Sequence, residues 1–159
     1  MLQQLVADGS LWPVSGTAFA VTPTLREAYA EGDEDELADV ALREAALASL
    51  RLLAAADAQG AEVGLVPRRA VLAAEVDDVK FRPDLDDAVV RLGAPVAIEQ
   101  VLAAYVDNAS AEPAVTEAIE VIDAADLGDE DADLVVGDAQ DHDLAWYANQ
   151  ELPFLLDLL

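Results

Sequence analysis

The stretch Leu102-Ala-Ala-Tyr-Val-Asp-Asn-Ala-Ser-Ala-Glu-Pro-Ala-Val-Thr-Glu-Ala-Ile-Glu-Val-Ile-Asp-Ala-Ala-Asp-Leu-Gly128 holds both kinds of secondary structure in one line. Its first five residues, Leu102 to Val106, are small, apolar or aromatic and read as a strand. Ser110 to Pro113 then opens the clearest helix in the chain, because proline suits a first helical turn, where its missing N–H has no partner to lose. Val115, Ala118, Ile119, Ile122 and Ala125 recur at helical spacing, with Glu117, Glu120 and Asp123 opposite them. Gly128 supplies the stop, since glycine readily takes the left-handed conformation that ends a helix. A strand leading into a one-faced helix sets the expectation of an α+β fold.

The flanking sequence extends that pattern. Thr17-Ala-Phe19-Ala-Val21 alternates weakly and reads as a strand. Thr22 before Pro23 is an N-cap with proline at the first helical position, starting a short helix through Tyr29; Thr24 with Glu27 is an alternative capping box. Asp33 or Asp35 caps a long helix to about Ala56, whose Leu37, Val40, Leu47, Leu50 and Leu53 cover a wide arc and mark it as the central helix. Gln59 to Pro67 and Asp77 to Asp84 read as loops, Arg69 to Val76 and Ala88 to Leu92 as strands. Pro95 opens a short helical or irregular piece, a second short helix starts from Asp129, and Leu144 to Tyr147 is the last strand. The apolar tail Glu151-Leu-Pro153-Phe-Leu-Leu must dock somewhere. The expectation is one domain, residues 1–159, with a small mixed or antiparallel sheet packed against alanine-rich helices.

Composition narrows the chemistry. Of 159 residues, 54% are hydrophobic, but 33 are alanine and only 5% aromatic, which favours closely packed helices over large anchors. Eight Lys and Arg against 33 Asp and Glu give a net charge of −25. All eight cations fall in residues 1–91, with 17 acids; residues 92–159 hold 16 acids and no Lys or Arg. Direct nucleic-acid or anionic-lipid binding needs clustered cations, so it is not expected, whereas a basic partner would be steered inward. With no cysteine, disulfides, thiolate zinc sites, iron–sulfur clusters and cysteine nucleophiles are excluded. The N-terminus lacks the pattern of a signal or transit peptide, and the longest apolar runs, such as Leu52 to Ala56, fall far short of the roughly 20 residues of a membrane span. A soluble cytoplasmic protein is expected.

No motif assigns an activity. The alternating acids Asp129-Glu130-Asp131-Ala132-Asp133 resemble the start of a calcium loop, but Leu134 and Gln140 stand where its turn glycine and bidentate glutamate belong, so a solvated helix N-terminus explains them. The single histidine, His142, could act as a general base, yet Ser10, Ser15, Ser49 and Ser110 lie in no nucleophile signature, and a surface or turn position is the plainer reading. No Walker loop or dinucleotide fingerprint is present, and neither a cofactor nor a metal is expected. Arg68-Arg69, the one cationic doublet, could hold a phosphate or carboxylate but reads first as a set of internal charge partners. His142, Trp146, Tyr147, Asn149 and Gln150 form the densest aromatic and polar group and are, with Arg68 and Arg69, the candidate interaction residues. Trp146, in a strand of an aromatic-poor chain, reads as core.

Several segments together resemble one family: Gly16-Thr-Ala-Phe-Ala-Val-Thr-Pro23, Leu25-Arg-Glu27 with Tyr29-Ala30, Ala48-Ser-Leu-Arg-Leu-Leu-Ala54, Pro67-Arg-Arg-Ala-Val, Ala88-Val-Val-Arg-Leu92, Ile122-Asp-Ala-Ala-Asp-Leu-Gly128, and Trp146-Tyr-Ala with Gln150-Glu-Leu-Pro153. The set is similar to a family of small uncharacterised actinobacterial proteins, a domain of unknown function. The resemblance implies an actinobacterial cytoplasmic origin and no activity. It also implies about a dozen residues ahead of the position of Met1, ending in a strand whose loss would expose a sheet edge.

Three functional classes follow. The first is a non-enzymatic binding or regulatory module recognising a protein partner, a basic one being favoured by the acidic surface. The second is a small hydrolase-like enzyme using carboxylates and His142. The third is an acidic nucleic-acid mimic.

Overall fold

The computed structural model describes residues 2–60 and 66–158. The elements run α1 (Leu2–Asp8), β1 (Ser10–Leu11), β2 (Thr17–Phe19), α2 (Pro23–Ala28), α3 (Glu34–Ala58), β3 (Ala70–Ala74), β4 (Val79–Phe81), β5 (Val89–Leu92), β6 (Val96–Ala97), β7 (Val101–Val106), α4 (Glu112–Asp126), α5 (Glu130–Gln140), β8 (Ala145–Ala148) and α6 (Leu152–Leu158). The fold is α+β. In place of one sheet there are three small antiparallel ones, ordered β1-β6, β2-β5-β4 and β3-β7-β8.

Helix boundaries follow side-chain chemistry. Thr22 caps α2 by accepting from the Leu25 N–H at 3.1 Å, and its own hydroxyl donates to the Asp87 carbonyl, tying the helix to the turn before β5. Of the two aspartates available to α3, Asp33 is the cap, in a reciprocal box with Glu36. Gly128 closes α4 at φ +98°, where the N–H groups of Gly128 and Asp129 satisfy the carbonyls of Ala125 and Ala124. Asp129 then caps α5 through Oδ1, 2.9 Å from the Ala132 N–H, which accounts for the acids there.

One expected loop is a strand. Val79-Lys80-Phe81 within Asp77–Asp84 pairs with Leu92-Arg91-Val90 as an edge strand. Val79-Lys80-Phe81 alternates apolar and charged residues, but over three positions only, too short a run to mark a strand, and the pairing comes from β5 alone. The segment after Pro95 divides into β6 and a 3₁₀ turn at Ile98–Gln100. Part of the loop expected over Gln59–Pro67 lies outside the described residues.

Two main cores result. α3, α4 and α5 pack through Leu50, Val115, Ala118, Ile122, Val136 and Ala139, where the alanines allow close approach. The second joins α1, α6 and strands from all three sheets through Leu2, Leu5, Leu11, Val90, Leu92, Val96, Val101, Ala104, Val106, Leu152 and Leu155. The apolar tail thus docks as α6, and Leu152 and Leu155 contribute roughly 1.5–3 kcal/mol each by burial. A smaller cluster of Leu25, Leu37 and Ala88 links α2 and α3 to β5.

Candidate functional site

Arg69, just before β3, is 1% exposed. Its guanidinium grips Asp107, at the end of β7, through Nε at 2.9 Å and Nη2 at 2.7 Å. The Arg69 N–H adds a third bond to the same carboxylate at 2.8 Å, while the Asp107 N–H donates to the Arg69 carbonyl at 3.1 Å. A charge this deep is tolerated only when paired and fully hydrogen-bonded. The remaining donors reach further: Nη1 to Gln140 Oε1 at 2.9 Å, and Nη2 to the His142 carbonyl at 2.7 Å. Gln140 Nε2 donates in turn to the Arg43 carbonyl at 3.0 Å. One buried cation therefore fixes the end of α5, the turn before β8 and the middle of α3 against the sheet.

A cleft of about 340 Å³ opens over this network, lined by Asp39, Leu42, Arg43 and Ala46 of α3, by Tyr105 of β7, and by Arg69, Gln140, His142, Asp143 and Leu144. Arg43 makes no ion pair among the described residues. None of the four serines lines the cleft. Beside it runs the Tyr105 side of the sheet β3-β7-β8. Register places Val71, Tyr105 and Trp146 opposite one another across the three strands, so they share a face. Trp146 is 58% exposed there.

The seven candidate residues separate. His142 and Arg69 meet at the cleft, and Trp146 stands on the adjoining sheet face. The expectation that Trp146 is core is overturned: side chains alternate along a strand, and its neighbour Tyr147, opposite the fully buried Ala104, takes the inward place. The Asn149 amide donates to the carbonyls of Ile98 at 2.8 Å and Val101 at 2.5 Å, pinning the chain after β8. Gln150 is exposed in the turn that follows. Arg68 turns the other way, to Glu112 at 2.9 Å. Asp39, Arg43, Tyr105, Asp107 and Gln140 were not among the candidates, and no local motif marks them; only the tertiary fold assembles them. Among the described residues no group of three or more His, Asp or Glu is placed to hold a metal ion.

A family model described as a family of unknown function, DUF6912, matches residues 1–156. The chain belongs to this family. The DUF6912 match spans every residue of the cleft and of the sheet face beside it. Searches of the curated proteins and of the solved structures give no match. No helix among the described residues of this DUF6912 chain is long and apolar enough to cross a membrane.

Proposed function

We propose that the protein is a non-enzymatic binding or regulatory module that recognises a basic protein partner on the face formed by Trp146, Tyr105 and the rim of the cleft. The observation that carries this reading is the exposed Trp146, an aromatic of the type that anchors interfaces, beside the exposed acids Asp39 and Asp143. The chain's net charge of −25 steers cationic surfaces toward it and repels nucleic acid and anionic lipid. A cytoplasmic setting fits a chain without cysteine, and seven arginines to one lysine with 33 alanines fit a high-GC actinobacterial genome.

Affinity capture from the native cytoplasm at low and near-physiological salt, with wild type and Trp146→Ser side by side, tests the proposal. The expected result is a stoichiometric basic partner that survives the higher salt and is lost with Trp146→Ser. No partner at either salt, or one retained equally by the variant, overturns it.

A second reading, a small hydrolase-like enzyme, draws on His142 lying in the cleft with Asp39 and Asp143. Loss of a detected hydrolytic activity in His142→Ala supports it, and retained activity removes His142 from the mechanism.

A further inference from the structure

β7 is the middle strand of its sheet, so each of its residues directs its backbone N–H and C=O to one neighbour only. The Asp107 N–H donates to Arg69 on the β3 side, which sets Tyr105 and Ala103 toward β3 and leaves Ala104 and Val106 for β8. Their register partners Tyr147 and Ala145 therefore bond inward, and Trp146 and Ala148 point their backbone groups away from the sheet. The Ala148 N–H meets the Glu151 carboxylate at 3.4 Å. The N–H and C=O of Trp146 have no partner among the described residues.

Each edge of this sheet has one outward N–H met by a side chain, Ala148 on β8 and Ala70 on β3. On β3, the outward N–H of Ala70 is met by Ser49 Oγ of α3 at 3.0 Å. On β8, the sequence Ala-Trp-Tyr-Ala carries none of the lysines or prolines that commonly blunt an open edge. The exposed acids Asp141 and Asp143 precede it, and exposed Glu151 follows. A second copy paired antiparallel along this edge would lay Asp141 and Asp143 of one chain against Glu151 of the other, and facing like charges oppose such pairing. A cationic strand meets the opposite situation, with acids at both ends of the edge.

We infer that β8 accepts an extended, cationic segment of a partner protein as an added strand. Main-chain pairing runs through the N–H and C=O of Trp146. The exposed indole of Trp146 covers an apolar side chain of the segment, and the segment's basic side chains reach Asp141, Asp143 and Glu151. This rests on the binding-module reading and specifies the form of its ligand.

The test uses the Trp12→Phe variant, in which Trp146 is the one remaining tryptophan and reports binding by its fluorescence. The probe is the peptide Lys-Val-Lys-Val-Lys-Val-Lys, with two isomers N-methylated on alternate residues, one on the lysines and one on the valines. Alternate N–H groups of a strand share an edge, so one isomer blocks pairing and the other leaves it intact. The parent peptide and one isomer are expected to bind, with the other isomer and a Glu-for-Lys peptide weakened at least about tenfold. The double change Asp141→Lys/Asp143→Lys, on exposed side chains, is expected to weaken the parent peptide by about tenfold as well. Equal binding of both methylated isomers overturns strand addition while leaving the wider reading standing. Failure of the parent peptide to bind overturns the cationic strand, and the lysate capture then judges the wider reading separately. Sedimentation showing a dimer abolished by Trp146→Ser overturns the choice of occupant.

Discussion

Arg69 and Asp107 show how much one buried pair can be made to hold. Removing either partner strands a charge in the interior, so Arg69→Ala is expected to cost about 3–5 kcal/mol in urea unfolding, and Arg69→Met with Asp107→Leu much less than either single change. Glu44 presents the opposite electrostatics. Burial, and then the nearby Asp86 charge, push its carboxyl above the usual carboxylate range. The folded state therefore holds its proton more tightly than the unfolded chain, and stability falls as pH rises from the ordinary carboxylate value through the raised one. Because the group is only partly buried, the effect is small. Glu44→Gln is expected to raise Tm at neutral pH by about 1–2 °C and to leave it unchanged at pH values below the ordinary carboxylate range, read by a melting series against pH.

At the scale of elements, α3 packs against α4, α5, β2 and β3, and its ends and flanks can be probed separately. Asp33→Ala removes the cap and is expected to cost about 1 kcal/mol, seen as a lower urea midpoint with an unchanged slope. Arg51 of α3 holds Asp126 of α4 through two bonds, at 3.0 and 2.9 Å, and those bonds lower the Asp126 pKa. Here the sign reverses: the contribution is complete above the ordinary carboxylate range and is lost as pH falls through the depressed value. Arg51→Ala should flatten that acid-side slope and cost less than about 1 kcal/mol at neutral pH, since both side chains are nearly half exposed. Together, α3 and α4 read clearly from sequence because caps and apolar spacing are local. β4 does not, because its apolar–charged alternation runs over three residues only and its register with β5 makes it a strand.

For the whole molecule, charge dominates. A net −25 over 159 residues repels itself in the folded state more than in the expanded one. Potassium chloride is expected to raise Tm mostly within the range where the screening length shrinks to about 8–10 Å, with little further gain beyond; a gain continuing to molar salt would assign the acidity to saline adaptation instead.

What the sequence determined by itself is what lies within a few residues of its cause. The helix starts narrowed to Thr22 or Thr24, to Asp33 or Asp35 and to Asp129, the stop at Gly128, the apolar arcs of α3 and α4 and the mixed α and β character all depend on neighbours three or four positions away. Charge sign and the absence of cysteine chemistry are likewise properties of composition. The tertiary structure alone decided which of two adjacent aromatics faces inward, because alternation fixes that they differ but not which one the core receives. It alone brought Arg69 to Asp107, Gln140 and His142, across separations of 38 to 73 residues. It alone divided the strands among three sheets and left β8 at an edge, since strand pairing joins residues distant along the chain and leaves no local signal in either partner.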